Sequence, residues 1–110
     1  MINKNKNNFI IIETTTPSID LANKIAKILL AKKIAGCIEM NQITSIYNWQ
    51  EEICQGQEIS LRIKTQEKFF DEIVDVIKKN HQYSVAQIFS YKIDNIEKSY
   101  GDWLQMVLKK

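Results

Sequence analysis

CIEMNQITSIYNWQEEICQGQEISLRIK, residues 37–64, reads as two long extended segments around one turn. Ile59, Leu61 and Ile63 alternate with Ser60, Arg62 and Lys64, the period-two pattern of a strand with one apolar and one solvated face. In the first segment, Cys37 to Tyr47, Ile38 and Met40 share one parity, Ile43 breaks it and Ile46 returns to it. Such a break predicts a bulge or bend near Asn41-Gln42. Asn48-Trp49-Gln50-Glu51 reads as the turn, and Ile53 opens the second strand. The hairpin so predicted is about ten residues deep, against about six for an ordinary strand. A small domain cannot cover it alone, so its far end is expected to pair with another subunit or to protrude as an edge.

Upstream, Phe9-Ile10-Ile11-Ile12 runs into Thr14-Thr15-Thr16, apolar on both faces and hence a central strand. Pro17-Ser18 stops it, and Ser18 followed by Asp20 suits a helix start. Ala22, Ile25, Ala26 and Leu29 then fall at helical spacing, widened by Leu21, Ile28 and Leu30. Lys24, Lys27, Lys32 and Lys33 take the other side, and Gly36 is expected to end the segment. Downstream, Thr65 is read as the cap of a second helix with a buried stripe of Phe69, Phe70, Ile73, Val74 and Ile77. Asn80 is expected to close that helix in the left-handed conformation. HQYSVAQ at 81–87 is a loop, and Ile88 to Ile93 is a strand with Phe89, Tyr91 and Ile93 on one face. A last helix carries Ile96, Tyr100, Trp103, Leu104 and Val107, with Trp103 expected in the core. The order β-α-β-β-α-β plus a C-terminal helix is the split βαβ, ferredoxin-like α+β arrangement, an antiparallel sheet with two helices on one face. It occupies residues 9–110 as a single domain, after an expected frayed tail at 1–8.

The chain has 110 residues and a formal charge of +2, from 15 basic and 13 acidic side chains. That balance, with Arg62 as the only arginine, argues against nucleic-acid binding. No apolar run approaches a membrane span, and MINKNKNNF lacks the apolar centre of a signal peptide. Cys37 and Cys54 are too few for a disulfide framework, so a cytoplasmic protein with reduced thiols is expected.

The residues offer little for catalysis. His81 is the only histidine, and nothing places Cys37 or Cys54 beside it with a third orienting group. The glycines Gly36, Gly56 and Gly101 form no phosphate loop, and Thr14-Thr15-Thr16-Pro17 lacks the arginine that an acylphosphatase of this fold class needs. No enzyme activity is expected. For a metal, the available soft or borderline ligands are His81, Cys37, Cys54 and Met40, in no local ligand spacing. The ordinary structural readings are a cysteine packed as a small hydrophobe and a histidine closing a helix C-terminus. Tyr47 and Trp49, flanking the turn of the hairpin, suit burial against a neighbouring chain.

TTTP at 14–17, IAGC at 34–37, YNW at 47–49, IKT at 63–65, H-x-Y at 81–83 and Y-x-x-W-L at 100–104 together resemble, in order and spacing, the CutA family of divalent-cation tolerance proteins. The resemblance spans roughly residues 9–108. It implies a ferredoxin-like homotrimer joined through the long hairpins, with Tyr47 and Trp49 in the trimer interface. It also implies a part in tolerance to divalent cations, chiefly copper, through weak binding, with no metal required for folding. By matching position, Cys37 and His81 are its metal candidates, and Glu58, Lys64 and Tyr83 are polar positions near the intersubunit cleft. Similarity to PII signalling trimers implies an alternative, a regulatory module binding a small anionic metabolite in that cleft. The chain departs from the family where its His-Pro-Tyr loop reads His81-Gln82-Tyr83, where acidic and proline positions read Ser84 and Ala86, and where Glu51 replaces the turn glycine. Lost prolines loosen the loop, and the lost acid removes a hard ligand.

Overall fold

Phe9–Thr16 forms β1, buried along its whole length except at the half-buried Glu13. In the computed structural model, which describes residues 7–110, β1 is indeed an inner strand. The first six residues of the expected tail lie outside the described residues. At its end, Asn8 and Asn7 are already tied down: their carbonyls accept from the Glu67 N–H at 2.9 Å and from Gln66 Nε2 at 3.0 Å.

Helix α1, Ile19–Ala31, starts where Ser18 Oγ accepts from the Leu21 N–H at 3.2 Å, and it buries Ala22, Ile25, Ala26 and Leu29. Gly36 does not end it. The chain turns at Lys33, which takes a φ of 57°. Gly36 is required by packing instead: a Cβ there would lie 2.3 Å from Leu104 Cδ1 and 3.1 Å from Val107 Cγ2. Leu104 is fully buried and has nowhere to retreat. Gly36→Ala is therefore expected to destabilise the fold by about 1–3 kcal/mol, read as a lowered urea midpoint at unchanged slope.

β2, Cys37–Trp49, and β3, Glu52–Gln66, pair without interruption from Cys37↔Lys64 to Trp49↔Glu52. The bulge expected at Asn41-Gln42 is absent. β2 is an edge strand, and beyond Met40 it leaves the core: Ile43 is half-buried on the opposite face of the sheet and Ile46 is exposed, so the parity break marks a change of face and no bulge. The turn is only Gln50-Glu51, with φ of 48° and 66°. Two left-handed residues match the twist of a two-residue hairpin, at a cost of roughly 1 kcal/mol each for side chains other than glycine.

Thr65 does not cap a helix. It is buried in β3 and its hydroxyl donates to the Ile34 carbonyl. A short 3-10 turn, Glu67–Phe69, follows, and only then α2, Phe70–Asn80. Asn80 is not left-handed; it donates Nδ2 to the Val76 carbonyl at 2.8 Å, and the chain leaves the helix extended at His81. After β4, Ile88–Lys92, Glu97 accepts from the Ser99 and Tyr100 N–H groups to start α3, Lys98–Val107.

The antiparallel sheet runs β2-β3-β1-β4. Ile10, Ile12, Leu61 and Ile63 form one face and are buried with Ile25 and Leu29 of α1 and Ile73 and Ile77 of α2. α3 covers the other face only at the Phe9–Gln66 end, where Gln66 Nε2 donates to Gln105 at 2.6 Å and Lys64 Nζ to the Tyr100 hydroxyl at 3.2 Å. Leu104 and Leu108 are buried there, but Trp103 stays 39% exposed and is not a core residue. Its helical spacing with Tyr100 reflects a second, outward stripe, where the two rings lie 5.6 Å apart. The β2–β3 arm outruns all of this and stretches the molecule to 49 Å in its long dimension.

Candidate functional site

The register of β3 puts Glu58 on the sheet face remote from α1 and α2, opposite Ile43, while Tyr47 and Trp49 stand further out on the same face of β2. The 81–87 loop closes over this region because His81 anchors it. His81 Nε2 lies 2.6 Å from the Thr15 carbonyl, and Nδ1 accepts from the Tyr83 N–H at 3.1 Å. A carbonyl only accepts and an amide only donates, so the ring carries its proton on Nε2. The Tyr83 ring packs on the imidazole with centroids 4.6 Å apart, and its hydroxyl donates to Glu58 at 3.3 Å. Burial first, and then the Glu58 carboxylate, raise the Tyr83 hydroxyl above its ordinary pKa, which keeps it a donor.

Arm and loop enclose a cleft of about 680 Å³. Thr15, Ser45, Tyr47, Trp49, Glu58 and Tyr83 line it, with Gln82, Ser84, Val85 and Gln87 from the loop. Thr15, Ser45 and the loop amides are not among the site residues that the sequence singles out. They meet because one histidine bond docks the loop onto β1, a contact between residues far apart in the chain.

Lys64, expected with Glu58 and Tyr83 near a cleft between subunits, does not line this cleft of one chain. Glu58 to Lys64 is roughly 20 Å at strand rise. Lys64 sits under α3, where it meets Tyr100 and the Glu39 carboxylate at 3.3 Å. Burial disfavours its charge, yet the Tyr100 hydroxyl and Glu39 more than offset this and hold its pKa above that of an ordinary lysine. Around it run Arg62–Glu39 at 3.8 Å, Arg62–Glu13 at 3.9 Å and Tyr91–Glu13 at 3.3 Å, a charged band across the open sheet face. Among the described residues, Glu58 is the only charged one that lines the cleft.

Cys37 and His81 are not brought together within one chain. Cys37 is level with Lys64 and Ile11, whereas His81 meets Thr15, roughly 13 Å further along β1. Among the described residues no three His, Cys, Asp or Glu side chains converge as a metal site. His81 has one chemical opening. A metal displacing the Tyr83 N–H at Nδ1 would leave the Nε2–H···O=C bond to Thr15 intact, the outer bond that orients a ligating imidazole. Both Cys37 and Cys54 are free and half-buried.

These features define a ferredoxin-like α+β protein whose long β2–β3 hairpin, at the edge of the sheet and not at its centre, overshoots its own domain and frames a cleft at its base. The chain belongs to the CutA1 divalent ion tolerance protein family, which matches residues 10–107. It is 34% identical over 96 residues to the divalent-cation tolerance protein CutA of Thermus thermophilus, covering 86% of this chain and 93% of that one. The fold is shared with the periplasmic divalent cation tolerance protein CutA of Archaeoglobus fulgidus at a TM-score of 0.90 and 32% identity, over 92% of this chain and 99% of that one. CutA1 of the psychrotroph Shewanella sp. SIB1 superposes at a TM-score of 0.90 with 28% identity, over 96% of this chain and 99% of that one. Among the described residues no helix is long and apolar enough to cross a membrane.

Proposed function

We propose that this chain serves divalent-cation tolerance as a homotrimer, without enzymatic turnover, and that it binds the cation, copper first among the candidates, weakly and through ligands drawn from neighbouring copies. The observation that carries this reading is the arm. Ile46, Tyr47, Trp49 and Ile53 are 66%, 49%, 44% and 80% exposed in one chain. A two-stranded arm with such side chains is an association surface in water. Gly56 supports the same reading. It lies mid-strand with φ in the ordinary negative range, and a Cβ there would meet nothing within 4 Å. No contact among the described residues requires this glycine, whereas close approach by another copy would.

The cation candidates within one chain are the Nδ1 opening of His81 and the thiol of Cys37. Taking Nδ1 from the Tyr83 N–H costs a hydrogen bond of about 1 kcal/mol, in keeping with weak affinity. Half-buried free thiols accord with a cytoplasmic setting, which subcellular fractionation tests.

Light scattering is expected to give about three times the 12.9 kDa chain mass. In the same assay Gly56→Ala is expected to weaken assembly. A free arm would instead gain about 0.4–1 kcal/mol from the change, with the mass unaffected. Copper titrations of wild type, His81→Ala and Cys37→Ser are expected to show weaker binding in both variants. Equal affinity in all three would remove both residues from the site.

A further inference from the structure

α3 is the most thinly attached element of the domain. Among the described elements it alone has no extended backbone approach to another. The helix buries only Gly101 and Leu104, against four residues of α1 and three of α2. Elements with so few buried apolar contacts lie at the low end of a protein's local stability. What holds α3 down is the chain that follows it. That chain leaves the helix extended at Leu108, whose side chain is buried in the core cluster. The Lys109 N–H then donates to the Lys33 carbonyl at 2.8 Å, in the turn after α1. Lys109 Nζ stands 3.2 Å from the Glu72 carboxylate in the first turn of α2 and 5.8 Å from the centre of the Phe69 ring. Two consecutive residues thus strap α3 to the opposite layer. Beside the helix lies the rung of Cys37 and Lys64. Leu104 and Val107 pack against Gly36, the residue before the thiol, and the Tyr100 hydroxyl accepts from Lys64 Nζ at 3.2 Å. This end of the hairpin is remote from Tyr47 and Trp49, the part of the arm assigned to neighbouring copies.

We propose that α3 and its Leu108-Lys109 strap form a lid that opens as a unit while the two-layer core stays folded, and that this opening sets the rate at which the half-buried Cys37 thiol meets reagents in solution. Little has to break for it. Leu104 and Leu108 leave the core cluster, and the Lys109–Lys33, Lys64–Tyr100 and Gln66–Gln105 hydrogen bonds part. The strand ladders keep their own bonds, and α1 and α2 keep their stripes on the other face of the sheet. The lid acts on the thiol whether or not Cys37 holds a cation.

The test is alkylation of the full-length protein by iodoacetamide, with peptide mass spectrometry reading Cys37 apart from Cys54. With rising urea the Cys37 rate is expected to stay nearly flat, since an opening lid exposes little surface. It should join the line of global unfolding only near the midpoint. Lys109→Pro removes the N–H that Lys33 holds and the partner of Glu72, and it leaves Leu108 in place. It is expected to raise the flat rate about tenfold, in keeping with the loss of one hydrogen bond. Glu72→Gln, a surface change that leaves the core intact, is expected to raise it about twofold. The Cys54 rate should not move in either variant. A Cys37 rate that climbs with the full unfolding slope from zero urea overturns the proposal, as does indifference to both variants. A rate in water equal to that of the urea-unfolded chain overturns it by showing the thiol uncovered. A rate that falls as protein concentration rises overturns it too, because access then comes from separation of the copies. Copper titrations read a different event, so these outcomes stand apart from the metal reading.

Discussion

Ile12→Ala is expected to destabilise the fold by roughly 2–5 kcal/mol, the largest single-residue loss in the core. Ile12 is fully buried at the centre of the inner strand, paired with Ile63 on one side and Ser90 on the other. It shares its face with Ile10 and Ile63 and lies in the same cluster as the α1 and α2 stripes. Removing three carbons there forfeits their transfer energy and leaves a cavity that a hydrogen-bonded sheet cannot collapse to fill. Urea unfolding should show the midpoint falling steeply at constant slope. A loss below about 0.5 kcal/mol, the range of surface changes, would mean that the two layers do not meet at Ile12.

The second large effect concerns assembly. Trp49→Ala is expected to dissociate the proposed trimer at micromolar concentration, lowering the light-scattering mass toward 12.9 kDa. Large aromatic side chains dominate interfaces, and truncating one at a well-packed centre costs about 2 kcal/mol or more per interface. Three equivalent interfaces multiply that loss. The domain itself should survive, because Trp49 lies outside the core cluster and its circular dichroism band at 222 nm reports helices that Trp49 does not touch. An unchanged mass for Trp49→Ala would show that the outer arm does not hold the copies together. The charged band of Glu13, Arg62, Glu39 and Lys64 on the open sheet face would then be the surface to examine.

The residues that misled are instructive. Thr65 and Asn80 have the chemistry of helix caps, yet each is spent on a tertiary or local bond, Thr65 on the Ile34 carbonyl and Asn80 on Val76. Gly36 looks like a helix terminator and is in fact a space that α3 fills with Leu104. Trp103 keeps helical spacing and still faces outward, since spacing identifies a stripe without identifying which stripe is covered. The family resemblance groups Lys64 with Glu58, whereas within one chain the length of the strand they share separates them.

From the residues alone came the order of elements, the inner position of β1, the stripes of α1 and α2, the over-long hairpin, the 81–87 loop and the family to which they point. These are written locally: strand and helix periods, apolar runs and turn chemistry act between near neighbours, so a short window of sequence carries them. The tertiary structure alone decided that His81 docks the loop onto Thr15, that Glu58 and Tyr83 share a cleft which excludes Lys64, and that Cys37 stands away from His81. Each depends on the register between strands and on contacts across dozens of residues, which burial of the whole core selects and no single segment encodes.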